Sequence, residues 1–544
     1  MKIRGLLLSI IFASSSLCAL AGCKSKVKSG GSNTIQIKAY KGGYGTEFMH
    51  ELADKFVTIY PEYKVEFLEE SSALDYETIG AEIGVPKNNQ IDLYFATGLD
   101  INNILTKSYA ALRERDVVLL EPLDEIFEGK AIGLDGKEEA ETIKSRFFNG
   151  FEELCKYNGE FPKWRGKMFT LPWAESACGL FVNKAVLDKY NQKIPLTSNE
   201  FVSVLENIST QGKADDKYPF AWGGTNATGY WHYLFETWFA QYSGTENFSN
   251  FMNCIPESGN IKLDGYKVYE DQGILKSLED MFRIMDLNYV PAGSASKSHM
   301  EAQTEFVTGR CAFMANGDWV MHEMKRDYYE QAKNILMIGM PILSSIGTEI
   351  GITDEQLHTL VEMIDAHKSD AEIKAAISGL NDAGIDRVRK ARAIYNTRGI
   401  GHNIVIPSYT DAKDAAKLFV RFLYSNDGCR IYRNFANANL PLSYTPEESD
   451  EHNPFQESLD KIRNYDNPTI ITDLAPFNGV RETAAIYVFN NPLWADPNTF
   501  KDVMVDKNKK PENQDIKSAQ NMFEKEQEHV RNKWPDFMNY IDYL

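Results

Sequence analysis

The apolar positions of this chain change repeatedly from the spacing of a strand to that of a helix. Apolar residues at every second position over 35–39 predict a half-buried strand. After a Gly-rich break at 42–45, helical spacing over 48–59 predicts a helix, with Thr46 as its N-cap and Pro61 just beyond its end. The first structural unit is therefore predicted to be a strand, a glycine loop and a helix.

The same alternation continues through most of the sequence. Strands are predicted at 63–67 and 91–96, and the second is almost entirely apolar, as in a parallel sheet covered on both faces. Further strands are predicted at 180–182, 311–315, 336–339 and 403–406, with amphipathic helices at 198–208 and 411–424. Strands that alternate with helices predict βαβ units and an α/β fold.

Two parts of the chain depart from this alternation. Residues 352–392 carry two helical stripes and no strand pattern, so they are predicted to be a helical insertion within the α/β body. The tail from Glu451 is polar and rich in helical pattern, with no internal repeat.

The N-terminal residues have the order of a secretory signal peptide. Lys2 and Arg4 precede an apolar run over 6–20, and the small residues at 21–22 precede Cys23. The apolar run is shorter than the roughly 20 residues that span a bilayer. This arrangement resembles the lipobox of bacterial lipoproteins, in which the cysteine is acylated and becomes the mature N-terminus.

The lipobox resemblance implies an anchored, exported protein. Residues 1–22 would be the signal peptide, and 23–32 would be the lipidated cysteine with a polar, Gly/Ser-rich tether. We expect a location at the cell membrane, facing the extracellular or periplasmic side. The alternative is an ordinary cleaved signal followed by a chance cysteine.

Composition narrows the class of protein. A chain of 544 residues is too long for one hydrophobic core, and 43% apolar residues exclude a disordered chain. A net charge of −19 argues against nucleic-acid binding, which needs clustered Lys and Arg. The seven cysteines include no C-x-x-C pair, so neither a disulfide framework nor a zinc site is predicted. His232 and His402 are expected to be hydrogen-bonded polar residues rather than metal ligands.

Three segments carry motifs that resemble one family. Residues 166–191 hold a Gly-Lys turn, a strand ending in Leu-Pro-Trp, a polar loop and a strand ending in Val-Asn-Lys. Residues 306–324 match a strand-turn-helix of the form F..G..A...NG.W, and 401–428 a late strand followed by an A..F..FL.S..G helix. In this order they resemble the extracellular solute-binding lipoproteins of ABC importers, in the large sugar-binding group that includes maltose-type proteins. The resemblance covers most of 33–445 and leaves the helical insertion unexplained.

The resemblance implies a two-lobed, type II periplasmic-binding-protein-like fold, with hinge strands and an interlobe cleft that closes on ligand. The first lobe is expected to combine 33–173 with 335–425, including the insertion at 352–392, and the second 178–334 with 426–544. A carbohydrate, expected to be an oligosaccharide, would be delivered to the ABC permease. No cofactor is expected, and the protein is expected to be a monomer.

Ligands of α/β sheets sit beyond the carboxyl ends of the strands, so the loops there are candidate binding sites. The candidate ligand-binding residues are Gly43, Tyr44, Ser72, Thr97, Trp173, Glu175, Tyr230, Trp231, Asn316, Asp318 and Trp319. Aromatic rings match the apolar face of a sugar, and carboxylates and amides match its rim of hydroxyls. Trp231 and Trp319 are favoured for stacking by family position, then Trp173, although core packing is the usual role of a single tryptophan.

Two other classes of function remain open. Glu175 and Asp318 could form the carboxylate pair of a secreted glycoside-active enzyme, although no HExxH or GxSxG motif is present and catalysis is not expected. Alternatively, the same fold would bind peptides, polyamines or an acidic sugar. The charge of the residues that line the cleft would distinguish these ligand classes. Lys41, Arg165 and Arg398 lie near candidate loops.

Overall fold

The computed structural model describes residues 33–74, 76–97, 104, 118–148, 150–157, 162–225, 230–397, 401–447, 453–463, 469–472 and 517–543. The predicted signal peptide, Cys23 and the tether lie outside these residues, as does Arg398. Within the described ranges, no helix has both the length and the apolar character needed to cross a bilayer.

The chain alternates strands and helices as predicted. The strands are β1 Thr34–Tyr40, β2 Lys64–Glu70, β3 Leu93–Thr97, β4 Lys130–Ile132, β5 Glu138–Thr142, β6 Leu171–Pro172, β7 Ala177–Asn183, β8 Tyr218–Phe220, β9 Cys311–Gly317, β10 Ile335–Ile338, β11 Ile394–Thr397, β12 His402–Val405 and β13 Thr469–Thr472. The helices up to the middle of the chain are α1 Glu47–Ile59, α2 Tyr76–Ile83, α3 Asp124–Glu128, α4 Ile143–Arg146, α5 Phe151–Cys155, α6 Lys184–Lys189, α7 Ser198–Gln211, α8 Trp231–Ser243, α9 Thr245–Met252, α10 Ile261–Asp264, α11 Gln272–Ile284 and α12 His299–Val307. The later helices are α13 Trp319–Ala332, α14 Ser344–Glu349, α15 Asp354–Asp365, α16 Asp370–Ala376, α17 Asp382–Arg392, α18 Lys413–Leu423, α19 Asn426–Ala436, α20 Pro454–Arg463 and α21 Ala519–Tyr543.

Two separate sheets form the centres of two lobes. The first has the order β2-β1-β3-β12-β6, with β1 parallel to both of its neighbours and β12 antiparallel to β3. The second has the order β13-β11-β7-β9-β8, and β10 pairs antiparallel with β7. The α/β, two-lobed fold class predicted from the sequence is confirmed.

The predicted half-buried character of β1 is wrong. Gln36 and Lys38, the polar positions of the strand, are both buried, because β1 lies inside the sheet and helix α2 covers its second face. The Lys38 ammonium pairs with the carboxylate of Glu82 at 2.5 Å, and the Gln36 amide donates to Glu66. Long polar side chains can occupy a covered face when charged partners meet them there.

The expected division of the sequence between the lobes needs correction in two places. Segment 335–397 was expected in the first lobe, yet β10 and β11 belong to the second sheet, and α15 to α17 pack into the second-lobe core. Segment 426–442 was expected in the second lobe, yet α19 packs against α1 of the first. An apolar strand pattern reports burial but not the sheet that the strand joins, and this explains the error.

The helical insertion consists of three helices, each with a polar N-cap. Thr353, Ser369 and Asn381 accept backbone N–H groups of α15, α16 and α17. The tail also returns to the second lobe, because α20 packs beside β10 and α21 packs on α11. The Trp534 ring of α21 lies where a side chain at Gly265 would stand, so that glycine admits the tail helix.

Candidate functional site

The described elements of the chain change from one lobe to the other at three crossovers. The first crossover, 173–176, joins β6 to β7; the second joins β11 to β12; the third leads from α19 to α20. The crossovers touch one another: the Trp173 N–H donates to the His402 carbonyl at 3.0 Å, and the Glu175 N–H to the Asn439 carbonyl at 2.8 Å. The described residues of the three crossovers therefore lie against one another at the hinge.

An aromatic cluster fills the space in front of this hinge. Tyr44, in the loop after β1, is its centre. Its ring centroid lies 5.8 Å from Trp173, 6.4 Å from Trp319, 5.1 Å from His402 and 6.2 Å from Tyr432. These rings come from both lobes, since Trp319 begins α13 of the second lobe. The cluster is thus a contact between the lobes.

The cluster continues along the second lobe through tyrosines. Tyr230 meets Trp319 edge to face, with centroids 5.8 Å apart, and stacks on Tyr233 at 5.5 Å with the planes 10° apart. Tyr230 has a φ of 61°, so the chain turns sharply just before α8 begins. The result is a row of aromatic faces and edges along one side of the interlobe contact.

Two buried carboxylates lie behind the rings. Asp318 accepts a hydrogen bond from the Tyr44 hydroxyl, which joins the two lobes directly. Burial raises the pKa of Asp318 to about 7; the bond from Tyr44 opposes this shift, and the charge of Glu175 adds to it. Burial also raises the pKa of Glu175, an effect opposed by Arg463. Asp318 can therefore gain or lose a proton near neutral pH.

The Gly-rich loop after β1 rests against α13. Burial raises the pKa of Glu323 on this helix, and hydrogen bonds from the Gln303 amide and the Gly43 backbone oppose the rise. Gly45 has a φ of +70°, and a Cβ there would lie 2.3 Å from the His322 ring. The sequence predicted a tight turn or a ligand contact here, and the turn brings the loop against the second lobe.

The predicted site residues separate into two groups. The structure brings together at the interlobe contact Gly43, Tyr44, Glu175, Tyr230, Asp318 and Trp319. Thr97 ends β3 beside His402, and Asn316 in β9 donates to Gln303 at 3.2 Å. Ser72 is exposed beyond β2. Their roles in binding remain predictions.

The favoured tryptophans differ in their surroundings. Trp173 stacks on Phe48 and donates its Nε1–H to the Ala96 carbonyl at 3.0 Å, within the first-lobe core. Trp231 lies against Phe220 with centroids 4.4 Å apart, in the second-lobe core. Among the three, Trp319 alone meets aromatic rings from both lobes in the described part of the chain.

Several residues of the cluster were not candidates from the sequence. His402 was expected to be a hydrogen-bonded polar residue, and its Nδ1 lies 2.8 Å from the Ser176 hydroxyl. Tyr432, Glu323 and Arg463 sit on helices with ordinary amphipathic patterns, which gave no signal of a site. We call Tyr44, Glu175, Asp318, Trp319, His402 and Tyr432 together the seam.

The chain is similar to known proteins in its fold and in the pattern of one sequence family. No curated protein matches it in sequence. Solved structures share its fold: a chitin oligosaccharide binding protein has a TM-score of 0.55 at 15% identity, covering 92% of this chain and 99% of that chain. A probable secreted solute-binding lipoprotein from Streptomyces coelicolor has a TM-score of 0.56 at 12% identity (93% and 100%). A Streptococcus pneumoniae solute-binding protein, solved with the blood group A-trisaccharide, has a TM-score of 0.52 at 15% identity (92% and 100%).

The sequence match is to a family rather than to one relative. Residues 108–428 match the family of bacterial extracellular solute-binding proteins. The matched region runs from the first lobe through the second and back, and it includes the first two crossovers. Because it makes up more than half of the 544 residues, the chain belongs to the bacterial extracellular solute-binding proteins.

Proposed function

We propose that the chain is the substrate-binding lipoprotein of an ABC importer and captures a carbohydrate between its lobes. The observation that carries the proposal is the contact among Tyr44, Trp319 and Tyr230, which unites aromatic rings from both lobes beside a buried carboxylate. Two proteins of the same fold are described by the oligosaccharides that they bind. Capture by hinge closure would bring these groups around a ligand from two sides.

The chemistry of the seam suits a sugar. An aromatic ring that covers a pyranose face removes apolar surface from water, which contributes about 25 cal/mol per Å². The carboxylate of Asp318 can accept ligand hydroxyls, each worth on the order of 1.5–3 kcal/mol when the acceptor is charged. In the structure, the Tyr44 hydroxyl donates to this carboxylate. A ligand hydroxyl would replace it.

A screen of ligand-dependent thermal stability tests this proposal. A ligand that binds only the folded protein stabilises it by RT ln(1 + [L]/Kd), about 2.7 kcal/mol at one hundred times Kd. Chito-, malto- and raffinose-type oligosaccharides are expected to raise Tm, whereas glucuronate oligomers, spermidine and short peptides are not. A rise with spermidine or peptides alone would overturn the carbohydrate proposal.

The residues of the seam support the enzyme alternative less well than they support a binding protein. A glycoside hydrolase needs one carboxyl group as an acid and a second as nucleophile or base, both reaching the substrate. The Glu175 carboxylate already accepts from the Tyr395 hydroxyl at 2.7 Å and lies 3.1 Å from the Arg463 guanidinium. We therefore propose a binding protein without turnover. Sugar release that is lost in Asp318→Asn would favour the enzyme.

We further propose that the protein acts as a monomer, anchored through Cys23 and facing the permease outside the membrane. Two or more acyl chains hold a protein stably at a bilayer, whereas one gives only marginal binding. Cys23→Ser is expected to move the protein from the membrane to the soluble fraction, as measured by fractionation and immunoblotting. Unchanged membrane partition would contradict the anchor, and Cys155→Ser, a buried cysteine, provides the matched control.

A further inference from the structure

The carboxylate of Glu175 sits where the three crossovers meet. Its backbone N–H donates to the Asn439 carbonyl, in the third crossover, at 2.8 Å. Its Oε1 accepts from the hydroxyl of Tyr395, in the strand that leads into the second crossover. Its Oε2 lies 3.1 Å from Nε of Arg463, at the end of the helix that follows the third. One residue of the first crossover is thus joined to both of the others.

A second ion pair extends this contact across the lobes. Arg433, on α19 of the first lobe, donates to both oxygens of Asp460, on α20, at 3.0 and 2.6 Å. Arg433 also donates to the Asn439 side chain at 2.7 Å, and Nη1 of Arg463 lies 3.6 Å from Asp460. Two guanidinium groups and two carboxylates therefore form one cluster whose charges balance.

The central ion pair of this cluster is buried, and further contacts fix the position of its arginine. The side chains of Glu175 and Arg463 are 1% and 8% exposed. Arg463 also donates to the carbonyls of Leu440 and Leu442, and its guanidinium lies 4.4 Å from the Phe148 ring. Removing one member of such a buried pair leaves its partner's charge uncompensated, whereas removing both is often tolerated.

We propose that Glu175 is a hinge-positioning residue, which with Arg463 holds the crossovers in the arrangement seen in the structure, with the lobes in contact, and does not itself contact the ligand. This proposal rests on the proposed function, in which closure of the lobes captures the solute. It assigns to Glu175 a role different from the ligand contact that its sequence position predicts. The two roles differ in one respect: a ligand contact acts only when ligand is present, whereas a hinge contact acts without it.

A double-mutant cycle between the two residues separates these roles. Glu175→Gln and Arg463→Met each leave one charge unpaired, and each is expected to increase the radius of gyration of the ligand-free protein in small-angle X-ray scattering. The double variant restores the charge balance and should return towards the wild-type radius. Tyr395→Phe, which keeps all four charges, should produce a smaller shift in the same direction and serves if the charge variants fold poorly.

Asp365→Asn is the matched control. It breaks a comparable Arg–carboxylate pair with Arg392, which lies inside the second lobe. Its thermal stability should fall while the ligand-free radius remains that of the wild type. A change in radius equal to that of Glu175→Gln would show general loosening and overturn the hinge role.

The same variants are then titrated with a chitin trisaccharide and with maltotriose. Glu175→Gln is expected to weaken the binding of whichever sugar binds by at least tenfold, and the double variant to recover to within threefold of wild type. A wild-type radius for Glu175→Gln, with binding that the double variant fails to recover, would make Glu175 a ligand contact and contradict the proposal. If neither sugar binds the wild type, the scattering result still decides the hinge role, and the carbohydrate proposal is the one that fails.

Discussion

The seam and the second-lobe core are both closed to solvent, yet they are built from different chemistry. By second-lobe core we mean the apolar cluster around Phe201, Phe220, Trp231, Trp238, Phe239 and Leu278. There, the Nε1–H of Trp238 donates to the Pro341 carbonyl at 2.9 Å, the Nε1–H of Trp231 has no hydrogen-bond partner among the residues that the structure describes, and the side chains around them are apolar. In the seam, the same degree of burial encloses Glu175 and Asp318.

The difference also appears in the hydrogen-bonding groups. Among the described residues, the buried atoms without a hydrogen-bond partner include Oδ2 of Asp318 and the hydroxyl of Tyr432 in the seam, and Nε1 of Trp231 in the core. A buried polar atom without a partner costs about 1–3 kcal/mol, and more when the group is charged, so the carboxyl group of Asp318 is the costliest of these when it is ionised. In the described part of the molecule, the core leaves an indole N–H without a partner, whereas the seam leaves a carboxylate oxygen and a hydroxyl group, which can accept hydrogen bonds from a ligand or from water.

The largest effect on stability is expected from the core. Trp231→Ala removes a ring packed against Phe220 and should lower the free energy of unfolding by about 3–5 kcal/mol, measured by denaturant titration. Affinity for sugar, measured where the variant is folded, should stay within threefold. A loss of affinity with little loss of stability would instead assign Trp231 to the cleft, as its sequence position predicted.

A pH-dependent effect is expected from the seam. The pKa of Asp318 rises from 3.8 to about 7 on folding, so the folded protein keeps a proton that the unfolded chain releases. The contribution of Asp318 to stability is therefore fully present below pH 3.8 and is lost as the pH rises towards 7, by at most about 1.4 kcal/mol per pH unit.

Asp318→Asn removes this dependence. The stability of the variant relative to wild type should increase between pH 5 and pH 7, measured by thermal unfolding in buffers of equal ionic strength. Asp386→Asn makes the same substitution at a carboxylate on the exposed side of α17 and should keep the wild-type profile. Parallel profiles for wild type and Asp318→Asn would contradict a buried, protonated carboxyl group in the seam.

The smallest effect compares two buried tyrosine hydroxyls. Tyr44→Phe removes the bond to Asp318 across the lobes, and Tyr424→Phe removes a bond to the Pro172 carbonyl within the first lobe. Each should lower stability by about 1 kcal/mol. Tyr44→Phe alone should also change sugar affinity by a factor of at least three in calorimetric titration. Equal sugar affinities of the two variants would remove the functional distinction between the seam and the interior of a lobe.

The sequence predicted elements better than it predicted their partners. The helix over 47–59 and the strands at 93–97 and 311–317 lie close to their predicted positions, because periodicity reports which face is buried. β10 was assigned to the wrong lobe, since four apolar residues fit either sheet. The alternating pattern predicted that the face of β1 carrying Lys38 would be exposed to solvent. Sequence spacing does not indicate its ion-pair partner, because Glu82 is distant along the chain.

Some residues of the candidate site could be predicted from the sequence, because the ends of the predicted strands locate them. Tyr44 follows β1, and Asp318 and Trp319 follow β9 at the start of α13, so all three lie beyond strand ends, where a ligand site is expected in an α/β sheet. Tyr432 and Arg463 lie within helices and reach the seam only through tertiary packing. Glu175 was singled out by its position as a ligand contact, which stays a prediction; its partners Tyr395 and Arg463 come from distant segments that sequence spacing does not connect.

The most direct test of the account is a calorimetric titration of the best-binding oligosaccharide into Trp319→Ala beside wild type. Trp319 starts a second-lobe helix, packs into the first-lobe cluster and meets rings of both lobes. We predict that Kd increases at least tenfold, about 1.4 kcal/mol, while Tm changes by only a few degrees. An unchanged Kd together with a large fall in Tm would make Trp319 a structural residue and contradict ligand binding at the seam.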